Sequence, residues 1–156
     1  MSTEEHFATI DELAVQPFPA ATYADTSGEG GPEHHVRVLM ISRDFWDDED
    51  GQARVAAEAE LQTCLDDLAA RLTTRWGNAF VVDLGPYLSA SCEGEPVPEP
   101  LDYLSQQVVR MQVWPLPDRG CWLALAIGQA DKELPLILFA AVGRASALDL
   151  STSGRS

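Results

Sequence analysis

Lysine is almost missing from this chain. Lys132 is the only one, set against nine arginines, and the 10 basic residues face 25 Asp and Glu, for a formal net charge of −15. So little positive charge repels phosphate, which argues against nucleic acid as a partner. The same field disfavours anionic membrane surfaces. Uninterrupted apolar sequence is also scarce. The greasiest stretch, 121–142, is cut by Asp131, Lys132 and Glu133. Neither half reaches the roughly 18 residues that a spanning helix needs. The start, MSTEEHFATIDELAV, has no basic lead and no long apolar run, so no secretory signal is expected. Cysteine is limited to Cys64, Cys92 and Cys121, an odd set that cannot all pair, and two of the three fall on expected core faces. The expected compartment is therefore a reducing cytoplasm.

The motifs of common site chemistry are absent too. The glycine cluster Gly28-Glu29-Gly30-Gly31-Pro32 lacks GxGxxG spacing and precedes no expected helix, and Lys132 follows no glycine loop. Ser89, Ser91 and Ser105 have no GxSxG flanks. There is no CxxC, HxxxH or HExxH, so zinc fails on spacing. No catalytic residue, cofactor or metal ligand is assigned from the sequence. An enzyme here would need His34 or His35 within reach of Cys92 or of a buried carboxylate. The two histidines are adjacent, so on a strand they point to opposite faces.

What is present is enough apolar residue, 46% of 156 positions, to build one ordinary core. Residues 121–128 and 134–142 are apolar on both faces, which marks strands covered on both sides, and the polar residues 129–133 join them as a hairpin. With a strand over about 107–115 and the turn Pro117-Asp118-Arg119-Gly120, they form a C-terminal antiparallel meander. The longest regular element spans about 48–76. Leu61, Cys64, Leu65, Leu68 and Leu72 share one helical face, acids crowd its start, Arg71 and Arg75 sit near its end, and Gly77 is placed to stop it. Shorter strands at 36–41 and 79–84 flank this helix, and a short helix is expected at about 99–106.

The fold class is thus α+β: a mainly antiparallel sheet of four to five strands with one long amphipathic helix on one face. The small side chains Ala124, Ala126 and Gly128 mark the surface where that helix is expected to lie. The organisation reads as a flexible leader over 1–35, a single domain over 36–144 and a polar tail over 145–156. The leader carries a helix at about 3–14, opened by a Ser2–Glu5 capping box.

The candidate site is the segment Asp44, Phe45, Trp46, Asp47, Asp48 and Asp50, two aromatics amid carboxylates. An EF-hand with Gly51 at its sixth position would begin at Trp46, which is no ligand, so that loop is rejected. Helix-start electrostatics explain the acids; the neighbouring rings point to a protein surface. The acidic, proline-rich loop 92–100 is a second candidate surface. The expected function is a small acidic protein-binding module for a basic protein partner, with no nucleic acid and no membrane. Its alternatives are a small enzyme with a site between the long helix and the acidic loops, or a structural homo-oligomer, including a homodimer paired through the edge of 108–115. Immunity proteins and secretion chaperones include acidic α+β chains of this size, and the resemblance is one of class, carried by no motif.

Overall fold

The computed structural model describes residues 3–25, 28–131, 133–147 and 154–155. The chain forms α1 (Thr3–Val15), β1 (Tyr23–Asp25), β2 (Gly28–Gly31), β3 (His34–Ile41), α2 (Gln52–Trp76), β4 (Phe80–Asp83), α3 (Gly85–Cys92) and α4 (Leu101–Ser105). It ends with β5 (Arg110–Leu116), β6 (Cys121–Gly128), β7 (Ile137–Arg144) and β8 (Gly154–Arg155). The class is α+β, as expected. All strands join one antiparallel sheet in the order β1-β2-β3-β7-β6-β5-β4-β8. That is seven strands plus the two-residue β8, against four or five expected.

The register separates two apolar faces. Leu123 lies opposite Val142 and Trp114, while Ala124 lies opposite Ala141 and Val113. The first set packs under α2, through Leu61, Leu65, Leu68 and Leu72, and under α1, through Ile10 and Leu13. Trp114 ties α2 down directly, its indole N–H donating to the Thr73 hydroxyl at 3.3 Å. The second set packs under Leu101, Leu104 and Val108. The long helix therefore does not lie on the Ala124–Ala126–Gly128 surface. That surface is small because the chain leaving α4 runs against it. A Cβ on Gly128 would meet the Gln107 carbonyl at 2.9 Å and Val108 Cγ2 at 2.8 Å.

α2 begins at Gln52, four residues later than its acidic start implies, and ends on Gly77, whose N–H donates to the Thr73 carbonyl. The irregular alternation of 36–41 has a cause. A bulge between Val38 and Met40 turns both Leu39 and Met40 toward the α2 face. β5 lies inside the sheet, bonded to β4 and β6, so it offers no free edge for pairing with a copy. α3 occupies part of what reads in sequence as loop. Pro86 suits its first turn, and none of its side chains is buried, so no apolar period announces it.

Within 16–35, β1 and β2 add to the sheet edge. The β2 sequence GEGG gives no strand signal, since Gly weakens strands in general. Its glycines are required by close approach: a Cβ on Gly28 would sit 1.9 Å from the Val36 carbonyl oxygen, and one on Gly30 2.5 Å from the Tyr23 ring. His35 pins the preceding chain. Its Nε2 bonds the Pro17 carbonyl at 3.0 Å, Nδ1 meets the Tyr23 hydroxyl at 3.3 Å, and its ring stacks on Phe18. Ser2 of the expected capping box lies outside the described residues, as do 148–153 of the tail.

Leu68 is fully buried at the centre of the α2 stripe. Leu68→Ala is expected to cost about 3 kcal/mol of unfolding free energy, measured by urea denaturation. A loss under about 1 kcal/mol would mean that α2 does not seal this face.

Candidate functional site

The acidic segment fills the connection from β3 to α2 at one end of the sheet. Two backbone bonds hold it against the β6–β7 connection: Ser42 N–H to the Leu136 carbonyl at 2.9 Å, and Phe45 N–H to the Glu133 carbonyl at 2.8 Å. Phe45 is 5% exposed and belongs to the core, so it presents no surface. Asp48 accepts the Ala53 and Arg54 N–H groups, each at 3.0 Å, and Asp50 accepts that of Gln52 at 3.1 Å. These two carboxylates cap α2, where its free N–H groups and dipole favour negative charge. Asp44, Asp47 and Glu49 are exposed, and among the described residues no basic side chain pairs with them. Trp46 is 66% exposed among them. Ile41 at the end of β3 and Val55 in the first turn of α2 are also exposed large apolar residues at this end. Of the six residues singled out by sequence, Asp44, Trp46 and Asp47 form the outer surface, and the other three build the loop that holds it.

A second constellation lies at the opposite end of β3. Glu29 pairs across from Val36, and His34 lies two residues from Val36, so both side chains stand on the sheet face away from α2. The Glu29 Oε1 and His34 Nε2 atoms are 3.4 Å apart, with the side chains 22% and 6% exposed. Glu29 Oε1 is buried and has no hydrogen-bond partner. Glu99 joins them from the loop before α4, and one ligand atom from each of the three residues lies within 4.8 Å of the others. The loop can come so close because the strand beneath it is bare at Gly143, the residue opposite His34. A Cβ there would meet Pro100 Cδ at 3.0 Å and the Trp122 ring at 2.4 Å. Glu99 Oε1 accepts the Tyr103 N–H at 3.1 Å. Burial pushes the Glu99 carboxyl above its ordinary pKa, and the Glu29 and Asp102 carboxylates add to the rise, against the pull of the Tyr103 N–H and of His34. A cavity of about 290 Å³ opens on the group, lined also by Thr22, Tyr23, Ala24 and Gly30.

The adjacent histidines do face opposite ways: His34 enters this group and His35 pins Pro17 on the α2 side. Cys92, at the end of α3, is exposed. A larger cleft of about 530 Å³ between α2 and the strands β4 to β6 has Arg110 as its one ionisable lining residue. Sequence reasoning passed over Glu29, His34 and Glu99 as a set. No signal in the sequence joins them: Pro32-Glu33 lacks the residues that announce a two-residue hairpin, and residues 29 and 34 reach one face only through the observed β2–β3 register.

Compared with known proteins, the chain gives no significant match to a family model, to a curated protein or to a solved structure. No helix among the described residues is long and apolar enough to cross a membrane.

Burial holds the imidazoles of His6 and His35 below their ordinary pKa; for His35 it outweighs the bond to the Pro17 carbonyl, which acts the other way. In the unfolded chain both take up protons near pH 6.5. The unfolded state thus gains protons first as pH falls, and the stability present above about pH 6.5 is lost as pH drops toward the lower folded values. The thermal midpoint is expected to decline between about pH 7 and 5.5, before most carboxylates titrate. A flat profile over that window would contradict the buried neutral assignment.

Proposed function

We propose that the chain is a protein-binding module that docks a basic polypeptide segment on the end formed by Asp44, Trp46 and Asp47. The observation that carries this reading is Trp46, two-thirds exposed amid carboxylates that have no basic partner among the described residues. A tryptophan left in water forfeits a large burial term. Covering 150 Å² or so of ring at about 25 cal/mol per Å² returns roughly 4 kcal/mol. An apolar anchor rimmed by one sign of charge is the pattern of an interface hot spot. The rim selects a partner of opposite sign and speeds encounter rather than adding much affinity. Ile41 and Val55 are further exposed apolar side chains on the elements that flank this segment. Net charge of −15 repels competing acidic chains. The loop is rigidly mounted, since Phe45 is anchored in the core and Asp48 and Asp50 are committed to α2, so docking requires little ordering of the site.

The test uses the full chain and a synthetic peptide that alternates arginine with leucine, with affinity read by calorimetry and by Trp fluorescence. Trp46→Ala is expected to weaken binding about tenfold or more, and Asp44→Asn with Asp47→Asn to slow association and flatten its salt dependence. The comparison is Asp66→Asn with Asp67→Asn, exposed acids elsewhere on α2. If that pair weakens binding as much as the changes at 44, 46 and 47, the attraction is to overall charge and the docking site is refuted.

A further inference from the structure

We propose that Glu29, His34 and Glu99 form a binding site for a divalent transition-metal cation of the zinc class. The site is separate from the docking surface and does not rest on it. Three elements supply it: β2, β3 and the loop before α4, the first and last ligands standing 70 positions apart in the chain.

The arrangement is poorly explained as an internal ion pair. The Glu29 oxygen that faces His34 is buried, yet it makes no hydrogen bond to the imidazole 3.4 Å away. A buried carboxylate oxygen without a hydrogen bond keeps its desolvation penalty uncompensated. The second carboxylate, Glu99, is brought up to the same point instead of a second cation. Acting as metal ligands, two carboxylates and an imidazole together supply a charge of −2, which a divalent ion cancels. The spacing also suits such an ion. Zinc–ligand bonds of about 2.0–2.1 Å place tetrahedral ligand atoms roughly 3.3 Å apart. The Glu29–His34 pair stands close to that separation already, and Glu99 is the ligand that closes in.

The donor set selects the class of ion. Calcium and magnesium take oxygen ligands, and an imidazole nitrogen in a set of three disfavours them. The set contains no thiolate, which argues against cuprous copper. Imidazole with carboxylates suits zinc and its first-row neighbours. The surroundings supply outer support as well: the Tyr103 N–H holds one Glu99 oxygen, and the His34 ring lies against bare backbone, with its Cε1 3.2 Å from where a Cβ on Gly31 would be. Three protein ligands would leave at least one position of a four-coordinate ion open, and the cavity lined by the same three residues, Thr22 and Tyr23 provides room for it.

The experiment takes the purified full chain, stripped by a chelator and titrated with zinc chloride by calorimetry, alongside magnesium and calcium chlorides. One zinc per chain is expected, with a raised thermal midpoint in zinc and no comparable response to magnesium or calcium. His34 is buried, so its replacement risks the fold. Glu29→Gln and Glu99→Gln are the decisive variants, each checked for native circular dichroism. Each is expected to weaken zinc binding about tenfold or more and to abolish the zinc-induced rise in midpoint. Cys92→Ser, which removes an exposed thiol, is expected to leave zinc binding unchanged. The proposal is overturned if the native chain binds no zinc. It is equally overturned if both glutamine variants bind it undiminished, if Cys92→Ser abolishes binding, or if magnesium or calcium binds more tightly than zinc.

Discussion

Trp122 and Leu123 are neighbours in sequence, and both are buried, on opposite faces of the same sheet. That double burial constrains the whole molecule. β6 is bonded to β7 along its whole length and to β5 over Cys121–Leu125, so most of its backbone is satisfied within the sheet. Its side chains then require an apolar cover above and another below. A single helix cannot supply both. α2 and α1 cover the face with the larger side chains, where Leu123, Leu125 and Val142 leave room for a helix to interdigitate. The other face sets alanines and glycines beside Trp122 and Phe139, and the chain leaving α4 presses onto the small residues closely enough that the Gln129 N–H bonds the Gln107 carbonyl at 2.9 Å. The loop carrying Glu99 is part of that second cover. A position reached by the loop is therefore dictated by the need to shield Trp122 and Phe139, and the candidate cation site stands at the margin of this cover.

The long elements were legible because their periods persist over many residues. α2 repeats Leu61, Leu65, Leu68 and Leu72 at helical spacing, and Gly77 stops it. β6 and β7 are apolar at nearly every position, a pattern that only a strand covered on both sides sustains over so short a length. What could not be read was which cover lies on which face. The small residues Ala124, Ala126 and Gly128 say that something approaches closely, and they say nothing about whether it is a helix or a passing loop. β2 was invisible for a related reason. Its glycines exist to admit Tyr23 and the Val36 backbone, so the residues that make the strand possible are those that erase its signal. The bulge at Leu39 likewise breaks the alternation by which β3 would have announced its faces.

The acidic segment shows how one charge cluster can hold two roles. Asp48 and Asp50 answer to α2, and once they are assigned, the remaining carboxylates and Trp46 have no internal task in the described structure. Sequence alone could not divide the six residues, because capping depends on which oxygens reach which N–H groups. The Glu29, His34 and Glu99 group was harder still. Its members carry no spacing motif, since a metal-ligand spacing is recognisable only when ligands share a turn or a helix. Here they meet through strand pairing and a covering loop.

The two proposed sites occupy opposite ends of β3, which at about 3.4 Å per residue separates them by roughly 20 Å or more. Exposed charges at that distance are screened, because the Debye length is about 8 Å at physiological ionic strength. A basic segment docked at Trp46 would therefore change the field at Glu29 and Glu99 very little, and the −15 charge acts on the two ends almost independently. Any coupling between them would have to be mechanical. The path would run along β3, which is bonded on both sides, to β2 and β7, and interrupted by the bulge at Leu39. Well-packed sheets transmit shifts as discrete rearrangements rather than gradual bends. The bulge is the place on that path where the ladder departs from regular pairing, so a movement passed along β3 would have to cross it to reach the other end.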